Sequence, residues 1–411
     1  MRIKRSSLGV SRPEIRPGLE DEVRAILGEV RAGGDDAVRR FSERFDGALV
    51  DELPVAPAEI EAALELVEPG VLDALRTAIA NVRALVQAQL SGPAAAVLEQ
   101  GQHIEVAELP VRRAAIYVPG GRAPYPSTVV MGAVTARAAG VDEVVVSTPP
   151  EGDGGVNPVI LAACALCEVD EVYRMGGAQA IAALAYGTRS VRAVDVIAGP
   201  GNTWVQQAKK QVAWTEVGID GIAGPSELFV IADGDDLDPE PIALDLLAQA
   251  EHGPDSLLWL LSPDERLREG VIATIERMAP ERPSVTDAVL EVAPIGGPPA
   301  VEVANTIAPE HLELVGARAE ALAPLVRSAG CLFVGAGAAT AFGDYVAGSN
   351  HVLPTGGAAR FQSALSPATF RRRMARVSLP GQAPARLASA GAALARAEGF
   401  PVHAESMERR A

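Results

Sequence analysis

The sequence predicts an α/β chain whose parallel sheets fall into two halves, with a short arm before them and a helical tail after. Three observations carry this reading. Short Val/Ile-rich runs alternate with helical periods roughly 25–30 residues apart, the rhythm of strand–helix–strand crossovers. Glycine turns close the apolar runs at VPGG, MGG and AGPGN. After IAGPSE the rhythm restarts with a second set of strands.

Taken in order, residues 1–17 are polar and Pro-interrupted and read as an arm lying on something else. LEDEVRAILGEVRAG and DDAVRRFSERFDG read as two helices stopped by glycine, and 57–89 supplies two more, led by PAEIEAALELV. Residues 96–112 alternate weakly and read as strands. AAIYVPGG, DEVVVSTPP, EVYRMGG and AVDVIAGPGN are four apolar strands, each followed by a helical run. In the second half, ELFVIAD and SLLWLLS are strands with the helices DPEPIALDLLAQAEHG and PDERLREGVIATIERM after them, and CLFVG is a later strand. From about Ser366 the chain turns basic and helical, with no strand partner expected.

Composition narrows the function. The chain has 411 residues, 48% of them hydrophobic, enough for two or three packed domains. A net charge of −17 argues against nucleic acid or an anionic membrane surface as partner. No apolar run approaches the roughly 18 residues of a membrane helix, and the first residues lack the apolar core of a signal peptide. Cys164 and Cys167 lie in an apolar helical pattern and Cys331 in another apolar run, so all three read as buried thiols of a reduced, cytoplasmic protein. None is a candidate nucleophile.

The strongest chemical signal is NTIAPEHLE, with Glu310 and His311 adjacent after Pro309. A carboxylate beside an imidazole can move two protons in two steps. A solvated helix start would account for the same dipeptide. Histidine is scarce, five in the chain, and four of them, His252, His311, His351 and His403, sit in polar, Gly- or Pro-bounded contexts. Three glycine turns in consecutive strand–helix units point to a nucleotide, since helix N-termini receive phosphate and ligands sit at the carboxyl ends of strands. The dinucleotide fingerprint is absent: GAGAAT at 335–340 lacks its third small residue and the following acid, and reads as a turn. Gln249 and His252 are three apart at a helix end, on one face. Asp344 lies in the Gly-punctuated GDYVAGSNHVLPTGG, and His403 follows Glu398 in the tail. Spacing alone gives no zinc signature. His351 reads as structural.

IYVPGGRAPYPSTVVM, GGAQAIAALAYGT, AGPGNTWVQQAKKQV, AGPSELFVIAD, LLAQAEHGPDS, ANTIAPEHLEL, GDYVAGSNHVLPTGG and EGFPVH together resemble the histidinol dehydrogenase family, over residues from about 20 to about 405. The resemblance implies two incomplete Rossmann-like domains with parallel sheets. The first would comprise 18–112 with 227–365 and carry the zinc and catalytic residues. The second, 113–226, would carry the NAD contacts, with 1–17 as the arm and 366–411 as a dimerisation tail. It implies oxidation of L-histidinol to L-histidine through L-histidinaldehyde, the last steps of histidine biosynthesis, with NAD+ and one Zn2+ per subunit. Glu310 and His311 would be catalytic. Ser226, Gln249, His252, His311, Asp344, Glu398 and His403 would touch substrate. Tyr117, Gln179 and Asn202 would touch NAD+, and Gln249, His252, Asp344 and His403 would hold the metal. A homodimer exchanging its C-terminal tails would bring His403 to the other subunit's site.

On this reading His311 takes the hydroxyl proton, and Glu310 activates the water that must add to the aldehyde when no cysteine is available. The rival within the superfamily is a dehydrogenase of another small primary alcohol, such as a sulfonated diol. A zinc hydrolase would leave the glycine turns without a ligand, and no HExxH occurs.

Overall fold

The computed structural model describes residues 1–5, 16–120 and 123–411. Most of the predicted arm therefore lies outside the described residues, as does Gly121 of VPGG. Among the described residues the chain forms two parallel sheets and one small antiparallel sheet.

The larger sheet runs in the order Arg2–Arg5, Val289–Ala293, Leu257–Leu261, Glu227–Ala232, His311–Val315, Cys331–Val334, all parallel. Its central strand ELFVIA is buried at every position, which is why the sequence shows a continuous apolar run there and no alternation. Leu228, Val230 and Ala232 face the helices Pro239–Ala250 and Glu265–Met278. Phe229 and Ile231 face the helix Gly297–Ile307. The start of the predicted arm, Arg2–Arg5, is the edge strand of this sheet.

The second sheet runs Glu171–Arg174, Glu143–Thr148, Arg113–Tyr117, Val196–Ala198, Gly218–Ile219, also parallel. One face packs on Pro126–Ala138 and Pro158–Leu166, over which Pro69–Gln89 and Pro57–Leu66 lie as an outer layer. The other packs on Gly177–Tyr186 and Thr203–Val212, with Leu19–Asp46 laid over these two helices and broken at Gly34 (φ 55°) into the two helices the sequence suggests. The segment 18–112 was expected beside 227–365, yet its helices pack on the helices that flank the 113–219 sheet. Periodicity shows that a helix has an apolar face; it does not show which sheet that face covers. Here the larger sheet is already covered by its own helices.

Where Pro126–Ala138 crosses Ile116, a Cβ on Gly132 would come within 2.5 Å of that side chain, so glycine is what permits the close approach.

The basic stretch after Ser366 departs from expectation. Arg371–Ser378 is a strand, antiparallel to His103–Pro110, which pairs in turn with Ala94–Val97. Arg373 stands opposite Glu108 and Arg376 opposite Glu105, with ion-pair distances of 3.0 and 3.4 Å. Cross-strand charge pairing supports the ladder, but its partner lies more than 260 residues away in sequence. Beyond it, Ala383–Ala397 and Pro401–Glu408 are helices as expected, packed on each other through Ala392, Ala395 and Ala404. Leu394, Phe400 and Val402 of this hairpin remain exposed.

Candidate active site

Glu227 and His311 each open a strand, Glu227–Ala232 and its neighbour His311–Val315. The catalytic pair thus lies at the amino ends of the larger sheet. The glycine turns of the second sheet lie at the carboxyl ends of its strands, where ligands normally bind. A cavity of about 400 Å³ between the two is lined by Glu310, His311, Ser226, His252, Asp344 and Asn202, among others. This explains why GAGAAT reads as a turn: it lies at the other end of the larger sheet, after Val334.

Glu310 and His311 are not a solvated helix start. They are 8% and 4% exposed. The helix Gly297–Ile307 ends at Ala308 in the left-handed region (φ 52°), and the chain turns directly into the strand. Glu310 and Glu227 brace each other. Glu227 N–H donates to Glu310 Oε2 at 3.0 Å, and Glu310 N–H donates to Glu227 Oε2 at 3.1 Å. Glu227 Oε1 also accepts from Gly356 N–H at 3.1 Å.

His311 Nδ1 lies 3.0 Å from the Glu227 carbonyl oxygen. A carbonyl only accepts, so Nδ1 carries the proton and Nε2 is the nitrogen turned towards Asp344, 3.7 Å from its Oδ1. Burial alone would push the imidazolium down. Glu310, Asp344 and the Glu227 carbonyl outweigh it and hold the group up at about 9. A cation at Asp344 would remove one of those contributions and move the ring back towards the neutral form a base requires.

His351, read from the sequence as structural, lines the same cavity. Its Nδ1 donates to the Asp344 carbonyl at 2.8 Å and its Nε2 lies 3.4 Å from Thr128 Oγ1. It links the Asp344 turn to the helix of the second sheet. Lys209 and Asp220 were also missed. Lys209, 1% exposed, bonds Asp220 Oδ1 at 2.5 Å and the Gly199 carbonyl at 3.0 Å, while Asp220 Oδ2 accepts the Gly199 N–H at 2.7 Å. The pair pins the GPGN turn, where Gly199 (φ 122°) runs so close to Tyr117 that a Cβ would meet its carbonyl at 2.1 Å. The signal was there in the sequence: the chain has only three lysines, Lys4, Lys209 and Lys210.

The second cavity, about 510 Å³, shares Pro119, Gly120 and Asn202 with the first and is lined by Tyr117 and Gln179. Tyr117 hydroxyl accepts from Gly177 N–H at 3.0 Å, and burial pushes its phenol well up. Asn202 caps the helix Thr203–Val212, accepting from Trp204 and Val205 N–H. The three residues expected to touch NAD+ therefore line one space, which adjoins the Glu310–His311 cavity at Pro119, Gly120 and Asn202.

The expected metal residues are only partly together. His252 and Asp344 line the first cavity. Gln249 is 2% exposed in the last turn of Pro239–Ala250, and its Nε2 is buried without a partner. Gln249 itself lines neither cavity; an amide whose nitrogen has no partner still has an oxygen to offer a cation. His403 and Glu398 sit on the exposed C-terminal hairpin and line neither cavity. Among the described residues no three His, Cys, Asp or Glu side chains gather as a metal site within this one chain. Imidazole and carboxylate are ordinary zinc donors and an amide is an unusual one; a tetrahedral site would need a ligand beyond Gln249, His252 and Asp344.

Cys164 and Cys167 are buried free thiols, the first pushed well up and the second to about 12 by burial. Cys331 is also free and pushed to about 11, burial again the main cause. None is poised as a thiolate nucleophile.

Two parallel α/β units with a buried acid–imidazole pair in the cavity between them make an enzyme-type site for proton transfer. The histidinol dehydrogenase family model matches residues 11–411. Histidinol dehydrogenase of a Synechococcus species is 44% identical over 95% of this chain and 92% of its own. That of Rhizobium meliloti is 43% identical over 97% and 93%. The crystal structure of histidinol dehydrogenase from Elizabethkingia anophelis superposes with a TM-score of 0.93 at 30% identity, covering 100% of this chain and 98% of that one. The chain belongs to the histidinol dehydrogenase family and is an oxidoreductase. Among the described residues no helix is long and apolar enough to cross a membrane.

Proposed function

We propose that this chain carries out the four-electron oxidation of L-histidinol to L-histidine through L-histidinaldehyde, in the cytoplasm, as the end of histidine biosynthesis. Family membership supports the substrate. The observation that carries the chemistry is the His311 Nδ1 bond to the Glu227 carbonyl, which makes Nε2 the ring nitrogen that faces the cavity and, once a cation at Asp344 favours the neutral ring, the base.

His311 Nε2 takes the hydroxyl proton in the first step. Glu310 has its Oε2 tied to the Glu227 amide, which leaves Oε1 to take a proton from the water that adds to the aldehyde. Ser226 and His252 line the same space and orient the substrate with Asp344. Tyr117, Gln179 and Asn202 would hold NAD+, which would supply the hydride acceptor for each of the two oxidations. Gln249, His252 and Asp344, with His403 of the partner subunit, would hold zinc, which would supply a cation to orient the substrate. The exposed apolar residues of the C-terminal hairpin support a homodimer that exchanges its tails, which also brings Glu398 of the partner subunit to the substrate.

The test is incubation of the zinc-loaded protein with L-histidinol and NAD+, with identification of the product and a parallel run after chelation. Histidine formation that chelation abolishes supports the reading. Activity on a sulfonated diol in place of histidinol would reassign the substrate.

A further inference from the structure

Asp46 ends the helix Leu19–Asp46 and lines the second cavity. The reading of the site above does not use it. The reacting carbon belongs at His311, so the nicotinamide half of a dinucleotide enters the first cavity. The adenosine half is then left to the second, across the shared Pro119–Gly120 and Asn202 junction.

The walls of that second cavity suit an adenosine. Phe45, 47% exposed, lies 6.2 Å from the Trp204 ring, and both line the space with Pro149 and Pro150. Asp46 is the only side chain bearing a full charge among the described lining residues. It is half-buried, and burial pushes its carboxyl up to about 6. A long bond from Gln179 Nε2, 3.5 Å to Oδ2, and the Ser42 hydroxyl one turn back are the donors it meets, which leaves acceptor capacity on the carboxylate. Gln179 is itself 1% exposed with an orphaned Oε1. Two polar groups at the base of an aromatic-walled cavity, both under-satisfied, call for a ligand that brings hydroxyls.

We propose that Asp46 recognises the ribose of the adenosine half, its carboxylate accepting from the vicinal 2′- and 3′-hydroxyls and repelling a 2′-phosphate, so that the enzyme takes NAD+ and not NADP+. The inference rests on the NAD-dependent reading above. The logic is that of other dinucleotide enzymes, in which an acid accepts from the ribose and a cation replaces it where a phosphate must fit. Here the acid arrives from the end of a preceding helix and not from the second strand, so no fingerprint spacing announces it. Arg16 stacks on Trp204 at 5.3 Å and Arg44 on Phe45 at 5.0 Å, outside the lining, where they can meet a phosphate once the carboxylate is gone.

The experiment measures kcat and KM for NAD+ and NADP+ with saturating histidinol, for the wild type, Asp46→Asn and Asp46→Ser. The wild type is expected to prefer NAD+ at least about 100-fold in kcat/KM. Both variants should narrow that preference at least about tenfold, by a higher KM for NAD+ and a lower one for NADP+, with kcat for NAD+ within about twofold. A loss caused only by poor folding would lower both dinucleotides alike and leave the ratio unmoved. An unchanged ratio in variants that melt like the wild type, with a wild type that reduces NAD+, overturns the role of Asp46 alone. A wild type that reduces neither dinucleotide overturns the dehydrogenase reading and this one with it.

Discussion

Glu310 Oε2 accepts the Glu227 amide at 3.0 Å while the Glu310 amide donates to Glu227 Oε2 at 3.1 Å. This exchange between two neighbouring strands fixes the Glu310 carboxylate by one oxygen and leaves the other towards the cavity. Glu310→Gln keeps the accepting oxygen and removes the base. Its expected outcome is a fall of about 10²–10⁴-fold in the aldehyde step, with alcohol oxidation reduced much less. Stopped-flow measurement of the two half-reactions separates them. Equal losses in both would remove the division of labour between Glu310 and His311.

Tail exchange is open to a mixing test. His311→Ala and His403→Ala homodimers should each be inactive. Unfolded together and refolded, they would form hybrid dimers in which one of the two sites has its own His311 and an intact His403 of the partner subunit. Random assortment makes half the dimers hybrids, so about a quarter of wild-type activity should return. No recovery, with hybrids confirmed by mass, would place His403 outside the site. Zinc content of the hybrids gives a second readout: one site in two should hold the metal.

Lys209 and Asp220 pin Gly199 beneath the cavity. Lys209→Met strands a buried carboxylate and should cost about 3–5 kcal/mol, read from the denaturant midpoint. Replacing both members with apolar residues should cost less than either single change. A single change that leaves the midpoint in place would show that the turn holds without the pair.

Arg113, 3% exposed on the first strand of the second sheet, bonds Glu143 at 2.6 Å and Glu171 twice at 3.0 Å. Burial acts to raise the Glu171 carboxyl, but Arg113, Tyr173 and Arg192 outweigh it and hold the group down at about 2. A group depressed on folding stabilises above its ordinary value, near 4.5, and that stabilisation is lost as pH falls through about 2. Wild-type melting temperature should therefore drop between roughly pH 4.5 and 2. Arg113→Met should cost about 2–3 kcal/mol near neutral pH, less than a fully buried pair because Glu143 and Glu171 keep part of their solvent, and should flatten that acid slope. A parallel slope in the variant would remove the network as its cause.

The strand–helix rhythm was legible because parallel strands are buried on both faces and read as unbroken apolar runs, as ELFVIA does. Glu310 and His311 were legible because an acid and one of only five histidines stand side by side after Pro309. Their setting was not: an acid–imidazole dipeptide says nothing of whether a helix or a strand follows Pro309, and the amino-end location breaks the usual rule for sheets of this kind. Glu227 was invisible as a partner because its role is a backbone carbonyl and a brace from a different strand. Arg371–Ser378 looked helical because the glutamates that make it a strand are remote in sequence. The N-terminal helices showed their apolar faces but not the helices they pack on.

The measurement that bears most directly on the proposed reaction is the count of NADH formed per L-histidinol, run to completion with excess NAD+. Two NADH with histidine as sole product is the expected result, and it requires both proton-transfer roles in one cavity. One NADH with released aldehyde would contradict the four-electron assignment and leave Glu310 without its step.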